Sequence, residues 1–139
     1  MAFLMVHNKL PVFKRLFRIN LADDLYCQIC PSACIQDTAH FFITCERVAY
    51  YWNWLKGISC KLLARSQFSV DDSVLLNFHW PRSKKDQDLA WLIGHYIFVV
   101  WEMLHNRKLN RINDREFFGF LRYKYRKAME MDLVSGGLW

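Results

Sequence analysis

The feature that most limits what this chain can fold into is the spacing Cys27-x2-Cys30-x9-His40-x4-Cys45. Two cysteines separated by two residues can turn back so that both sulfurs face one ion. A His and a Cys from a second segment then complete four ligands, which is the pattern of a zinc site. If one unbroken α-helix carried both His40 and Cys45, five steps along it would leave them about 140° apart. The spacing therefore predicts a break near Ile43 or Thr44, with Asp37 placed to cap the turn that carries His40. Three thiolates and a neutral imidazole fill all four positions, so zinc held there is expected to be structural rather than catalytic. It would leave the site with a net charge of −1. Structural zinc contributes about 10 to 16 kcal/mol in small peptides, against about 5 to 15 kcal/mol for the net stability of a whole domain, so the region around residues 20 to 50 is expected to unfold on chelation.

Other readings of the thiols compete with this one. The chain has 5 cysteines, an odd number, and its first residues (MAFLMVHNKL) carry no secretion signal, which points to a reducing, intracellular setting, nuclear or cytoplasmic. There, clustered cysteines read as metal ligands more readily than as disulfides. A redox role for Cys27-x2-Cys30 needs a βαβ setting that this chain lacks. Cys34 stands near enough in sequence to replace one ligand, whereas Cys60 reads as a buried core thiol. His7, His79, His95 and His105 have no cysteine at a useful spacing and read as structural.

The chain's 139 residues, 53% of them hydrophobic, suffice for one domain with a real core. Gly and Pro are scarce, at 5 and 3, and the apolar residues recur at helical spacing, so the expected class is mainly α. One domain over 1–139 is read as a zinc-binding knuckle with flanking helices (9–57) and a pair of long C-terminal helices (84–133). A short amphipathic helix is predicted over 10–19. A second runs from Arg47 to Lys56, with Val48, Tyr51, Trp52 and Leu55 on one face and Gly57 placed to end it. Residues 58–83 are less regular, with a short helix near Asp72 to Asn77 and a stop at Trp80-Pro81. Ser83 can cap a long helix to about Asn106 whose second half is apolar nearly all round, through Phe98, Val99, Trp101 and Met103. Asn113 and Glu116 form a capping box for the last helix, with Phe117, Phe118, Leu121, Tyr125, Ala128 and Met129 facing inward.

The net charge of +6 is concentrated in residues 107 to 127, where Arg107, Lys108, Arg111, Arg115, Arg122, Lys124, Arg126 and Lys127 stand against two acids. Such a basic end suits a polyanion, nucleic acid first and an acidic protein surface second. Tyr50, Trp54 and Tyr123 are candidates to stack on unpaired bases. No apolar run reaches the roughly 18 to 20 residues of a membrane span.

Taken in order, an LP-basic helix, C-x2-C, Asp37-Thr38-Ala39-His40, HFF-x2-C and the Trp-bearing Tyr51-Trp52-Asn53-Trp54-Leu55 resemble the zinc-binding domain of non-LTR retrotransposon reverse transcriptases. The later IFVVWEMLHNRK, Ile97 to Lys108, is similar to that family's apolar-Trp-basic helix, so the likeness spans roughly residues 9 to 110. Pro31 stands where the family often has Gly, and Asp37 where Glu is usual; neither change removes a ligand. The resemblance implies a module that grips element RNA or target DNA, with a reverse transcriptase as a possible protein partner.

It implies no polymerase here. Asp23-Asp24 mimics a catalytic carboxylate pair, but the residues before it cannot build the supporting sheet, so the pair reads as a solvent-facing loop. Lys84-Lys85-Asp86-Gln87-Asp88 has the residue types of an endonuclease site yet begins a predicted helix. No nucleophile triad or Gly-rich phosphate loop is present, so neither an enzyme nor a small-molecule substrate is expected. The expected function is a stand-alone, zinc-organised nucleic-acid-binding module. The alternatives are a protein-interaction scaffold and an inactive retroelement fragment.

Overall fold

The structure is a computed structural model that describes residues 10–30, 34–62 and 87–134, without the side chains of 60–62. The described chain is mainly helical. Among the described residues there is no strand, only an isolated antiparallel bridge between Tyr26 and Ile35. No described helix is long and apolar enough to cross a membrane. The expected helix at 72–77, the stop at Trp80-Pro81, the Ser83 cap, Lys84 to Asp86, His7, His79 and the Cys60 side chain lie outside the described residues. The described residues group into two compact units, one of 10–30 and 34–52, the other of 53–62 and 87–134.

In the first unit α1 is short, Phe13–Arg18, and none of its residues is fully buried. The sequence puts apolar Phe17 and Ile19 on its inner side, yet both are substantially exposed. The helix is held instead at its start. Val12 offers no side-chain cap, and Gln36 takes that place, accepting from the Phe13 N–H through its side chain (2.9 Å) and from the Lys14 N–H through its backbone carbonyl (3.0 Å). At the other end Asn20 adopts φ 62°, the left-handed conformation Asn tolerates, and the Leu21 N–H returns to the Leu16 carbonyl at 2.8 Å. The loop that follows is closed by backbone bonds from Cys27 N–H to the Cys34 carbonyl (2.8 Å) and from Gln36 N–H to the Leu25 carbonyl (2.9 Å).

A π turn, His40–Thr44, leads through an extended Cys45 into α2, Glu46–Leu62. Gly57 does not end this helix. It sits mid-helix with open space where a Cβ would stand, so its cost is the lost helix propensity alone. Val48, Tyr51, Trp52 and Leu55 are buried, as their i, i+3, i+4, i+7 spacing requires.

In the second unit α3, Gln87–Trp101, passes into a second π turn, Glu102–Asn106, and α4 spans Asp114–Glu130. Asn113 caps α4, its side chain accepting from the Glu116 N–H at 3.0 Å. Phe117, Leu121, Tyr125 and Ala128 form its buried face, while Phe118 and Met129, about 100° and 120° round from Phe117, fall at the margin and Met129 is exposed. Helix α3 is buried on most sides but not all. Phe98 is about half exposed and lies parallel to Phe120 at 5.8 Å. The Tyr125 hydroxyl donates to the buried Asp88 carboxylate at 2.7 Å, so this acid is a structural acceptor. Trp54 meets Phe117 and Phe118 edge-on at 5.8 and 4.9 Å.

Candidate metal centre

The first unit brings together three of the four expected ligands. The ligand atoms of Cys27, His40 and Cys45 lie within 4.8 Å of one another, and all three residues are buried. The backbone explains how His40 and Cys45 come to share a side. Asp37 accepts from the His40 N–H at 2.7 Å and starts the turn, as its position in the sequence suggests. The turn then widens, and the Cys45 N–H reaches back five residues to the His40 carbonyl at 2.9 Å. An i→i+5 bond sets residue 45 above residue 40, where an α-helix would have rotated it away. The predicted break follows immediately: Cys45 is extended (φ −62°, ψ 140°) and its carbonyl accepts from the N–H groups of Val48 and Ala49, both at 2.9 Å. The helix is thus widened through Ile43 and Thr44 and broken at Cys45, one residue later than the spacing alone suggests.

The donor set fits a metal ion. The sulfurs of Cys27 and Cys45 are 3.9 Å apart, close to the separation of about 3.8 Å that two thiolates take across a tetrahedral zinc. The His40 Nδ1 lies 3.1 Å from the Thr44 hydroxyl, which fixes the ring, and its Nε2 is buried with no hydrogen-bond partner among the described residues. A buried orphan nitrogen is costly unless something occupies its lone pair. Burial lowers the His40 pKa, with Arg47 acting the same way and Asp37 opposing, so the ring is held in the neutral form that ligates metals. Burial pushes the Cys45 thiol up, and hydrogen bonds from the Arg47 side chain and backbone pull it back toward the thiolate.

Cys30 is not within this close group. Its thiol, half-buried, faces the Cys34 sulfur at 3.9 Å across the loop. Two residues to which the sequence assigns no role at the site now contribute: Thr44, which orients His40, and Arg47, whose Nε and Nη2 lie 3.4 and 3.7 Å from the sulfurs of Cys45 and Cys27. A cation two residues beyond the last ligand was the available signal for Arg47. Asp23 and Asp24 are exposed, and Asp24 accepts from the Tyr26 N–H at 3.1 Å in a local turn.

All eight basic residues assigned to nucleic-acid contact are exposed in the second unit. They occupy more than one face. Arg115, Arg122 and Arg126, separated by seven and four residues, form one line along α4. Lys124 lies over the Phe120 ring at 5.5 Å and Lys127 over Tyr123 at 5.7 Å. Arg107 is bound to Glu116 at 2.8 Å, and Lys127 lies 3.7 Å from Glu130. Tyr50 and Tyr123 are exposed, whereas Trp54 is half-buried against the two phenylalanines. His95 and His105 stack on Trp91 and Trp101 at 4.1 and 3.9 Å, each one helical turn on. No family profile, curated protein or solved structure matches this chain.

Proposed function

We propose that this chain is a nucleic-acid-binding module organised by one structural zinc ion, of the kind carried by non-LTR retrotransposon reverse transcriptases. The observation that carries the reading is the convergence of Cys27, His40 and Cys45 on one buried point, with the Nε2 of His40 left without a hydrogen-bond partner among the described residues. Cys30, three residues after Cys27, is the fourth ligand in this proposal, and its sulfur lies 3.9 Å from that of Cys34. Bound zinc would supply charge neutralisation and a cross-link between the 27–30 loop and the turn at 40–45, with no open position for chemistry. The protein's own residues do the rest: Asp37 starts the turn, Thr44 orients the imidazole and Gln36 ties α1 to the loop.

The nucleic-acid half of the proposal is supported by eight exposed basic side chains and by the arginine line on α4, side chains of the type that contact phosphates. Titrating the full zinc-loaded chain against labelled single-stranded RNA and duplex DNA over a range of salt tests it. Affinity should fall steeply with salt, and replacing Arg115, Arg122 and Arg126 together by Gln should flatten that slope by about one unit per lost contact. No binding to either polymer at low ionic strength overturns it.

A second reading, a protein-interaction scaffold, is favoured by one observation. Phe17, Ile19, Leu21, Tyr26, Ile29 and Ile35 are all exposed in the first unit. A contiguous apolar patch built from such side chains would mark a protein contact surface. Nucleic-acid binding that is weak and insensitive to the arginine line would favour this reading over the first.

A further inference from the structure

We propose that Arg47 is a clamp on the metal centre: its guanidinium holds the sulfurs of Cys27 and Cys45 at ligating distance from each other and slows loss of the ion. The inference rests on the zinc reading above and goes beyond it, since Arg47 is not a ligand. Three observations carry it. The Nε–H donates to the Cys45 sulfur at 3.4 Å and an Nη2–H donates to the Cys27 sulfur at 3.7 Å, so one planar group spans two ligands that lie 18 residues apart in sequence. Those sulfurs sit 3.9 Å apart, and two thiolates repel at that distance unless a positive charge lies close to both. Arg47 lies in the first turn of α2, directly after Cys45, so the helix fixes its backbone and the half-buried side chain needs little further ordering.

Arginine is suited to this task for reasons lysine does not share. Its fork presents two donors in fixed directions at once, whereas an ammonium is a point charge that satisfies one sulfur at a time. The guanidinium also offsets the net charge of −1 that three thiolates leave around a divalent ion. Groups that hydrogen-bond to ligands commonly change metal affinity by about 10- to 100-fold when removed.

The test uses the full chain loaded with cobalt(II), whose absorption reports both tetrahedral coordination and the energy of the sulfur donor electrons. Arg47→Met, Arg47→Lys and, as a control further along α2, Lys56→Met are compared with the unaltered protein. Removing N–H···S bonds raises the donor level, so Arg47→Met should move the sulfur-to-cobalt charge-transfer band to lower energy while the tetrahedral bands persist. Release of the ion to excess chelator should quicken about 10-fold or more. Arg47→Lys should recover part of the rate, and Lys56→Met should match the unaltered chain. If Arg47→Met keeps both the band position and the release rate, the clamp is overturned and the metal reading stands. If the unaltered chain gives no tetrahedral thiolate spectrum, the metal reading fails, and the clamp with it. Should Arg47→Met lose helical content before loading, the Arg47→Lys band position decides: a shift toward lower energy supports the clamp, and an unshifted band refutes it.

Discussion

Among the described residues the same wide turn occurs twice, and the two turns serve different ends. At His40–Thr44 the Cys45 N–H reaches back to the His40 carbonyl, and the turn sets two ligating side chains together. At Glu102–Asn106 the Arg107 N–H reaches back to the Glu102 carbonyl in the same way, yet the side chains it serves are a surface set: Asn106 donates to Glu102 at 2.8 Å, and Arg107 pairs with Glu116. The backbone device is neutral, and the residues placed on it decide its use.

The contrast extends to the units around the two turns. The first has a six-residue helix with nothing fully buried, a loop closed by single bonds and several exposed apolar side chains, and its buried side chains, Phe41, Phe42, Ile43, Val48, Tyr51 and Trp52, sit in the turn and at the start of α2. The second has two helices of 15 and 17 residues whose inner faces carry Leu92, Ile93, Tyr96, Phe117, Leu121 and Tyr125. Each such side chain contributes about 1.5 to 3 kcal/mol by burial. The second unit draws its core from long helices, whereas in the first a cross-link between separate segments would add to what burial supplies.

The largest effect that could break this contrast is metal removal. Chelation should abolish amide protection over 34–45 while protection in α3 and α4 persists, as followed by hydrogen exchange with mass spectrometry. Equal loss in both units would end the distinction. Next comes Phe117→Ala, which empties a fully buried site that Trp54 and Tyr96 also meet. It should cost the second unit about 3 to 5 kcal/mol in denaturant unfolding and leave the cobalt spectrum unchanged.

Gly119→Ala should act in the opposite direction. The residue is exposed in the middle of α4, and an added Cβ meets nothing within 4 Å, so the variant should gain about 0.5 to 1 kcal/mol in the same unfolding measurement. The smallest effect concerns pH. Burial lowers the His95 pKa, the Trp91 carbonyl opposes that, and Lys124 adds to it. The folded state therefore favours the neutral ring, and the unfolded chain takes up the proton first as pH falls. The contribution of His95 is complete above its ordinary value of 6.5 and declines as pH drops below it toward the lowered folded value. His95→Phe, which retains a flat ring beside Trp91, should lose less thermal stability between pH 7.5 and pH 5 than the unaltered chain.

Much of this was legible from residue spacing, and the exceptions have physical causes. The buried stripe of α2, the Asn113 cap and the inner face of α4 follow from helical periodicity and cap chemistry, which act locally. The need to change the helix near Cys45 followed from an angle, since 140° is incompatible with a shared ion. That the chain would meet it with a π turn was not legible, because the turn depends on which backbone bonds compete once Asp37 has started the helix. Gly57 looked like a stop signal, but α2 continues through it to Leu62, with Leu55 and Ser59 buried before and after it. Phe98 looked buried within an apolar run, yet it is half exposed, with Phe120 of α4 stacked beside it. Gln36 and Arg47 act on partners 23 and 20 residues away, and no local pattern announces contacts of that range.

The central claim is that Cys27, His40 and Cys45 hold one metal ion. Elemental analysis of the purified full chain, beside a Cys27→Ser, Cys45→Ser double variant, tests it most directly. The account predicts about one equivalent of zinc in the unaltered chain and a near-complete loss in the variant. Equal zinc in the two proteins, or none in either, would contradict it.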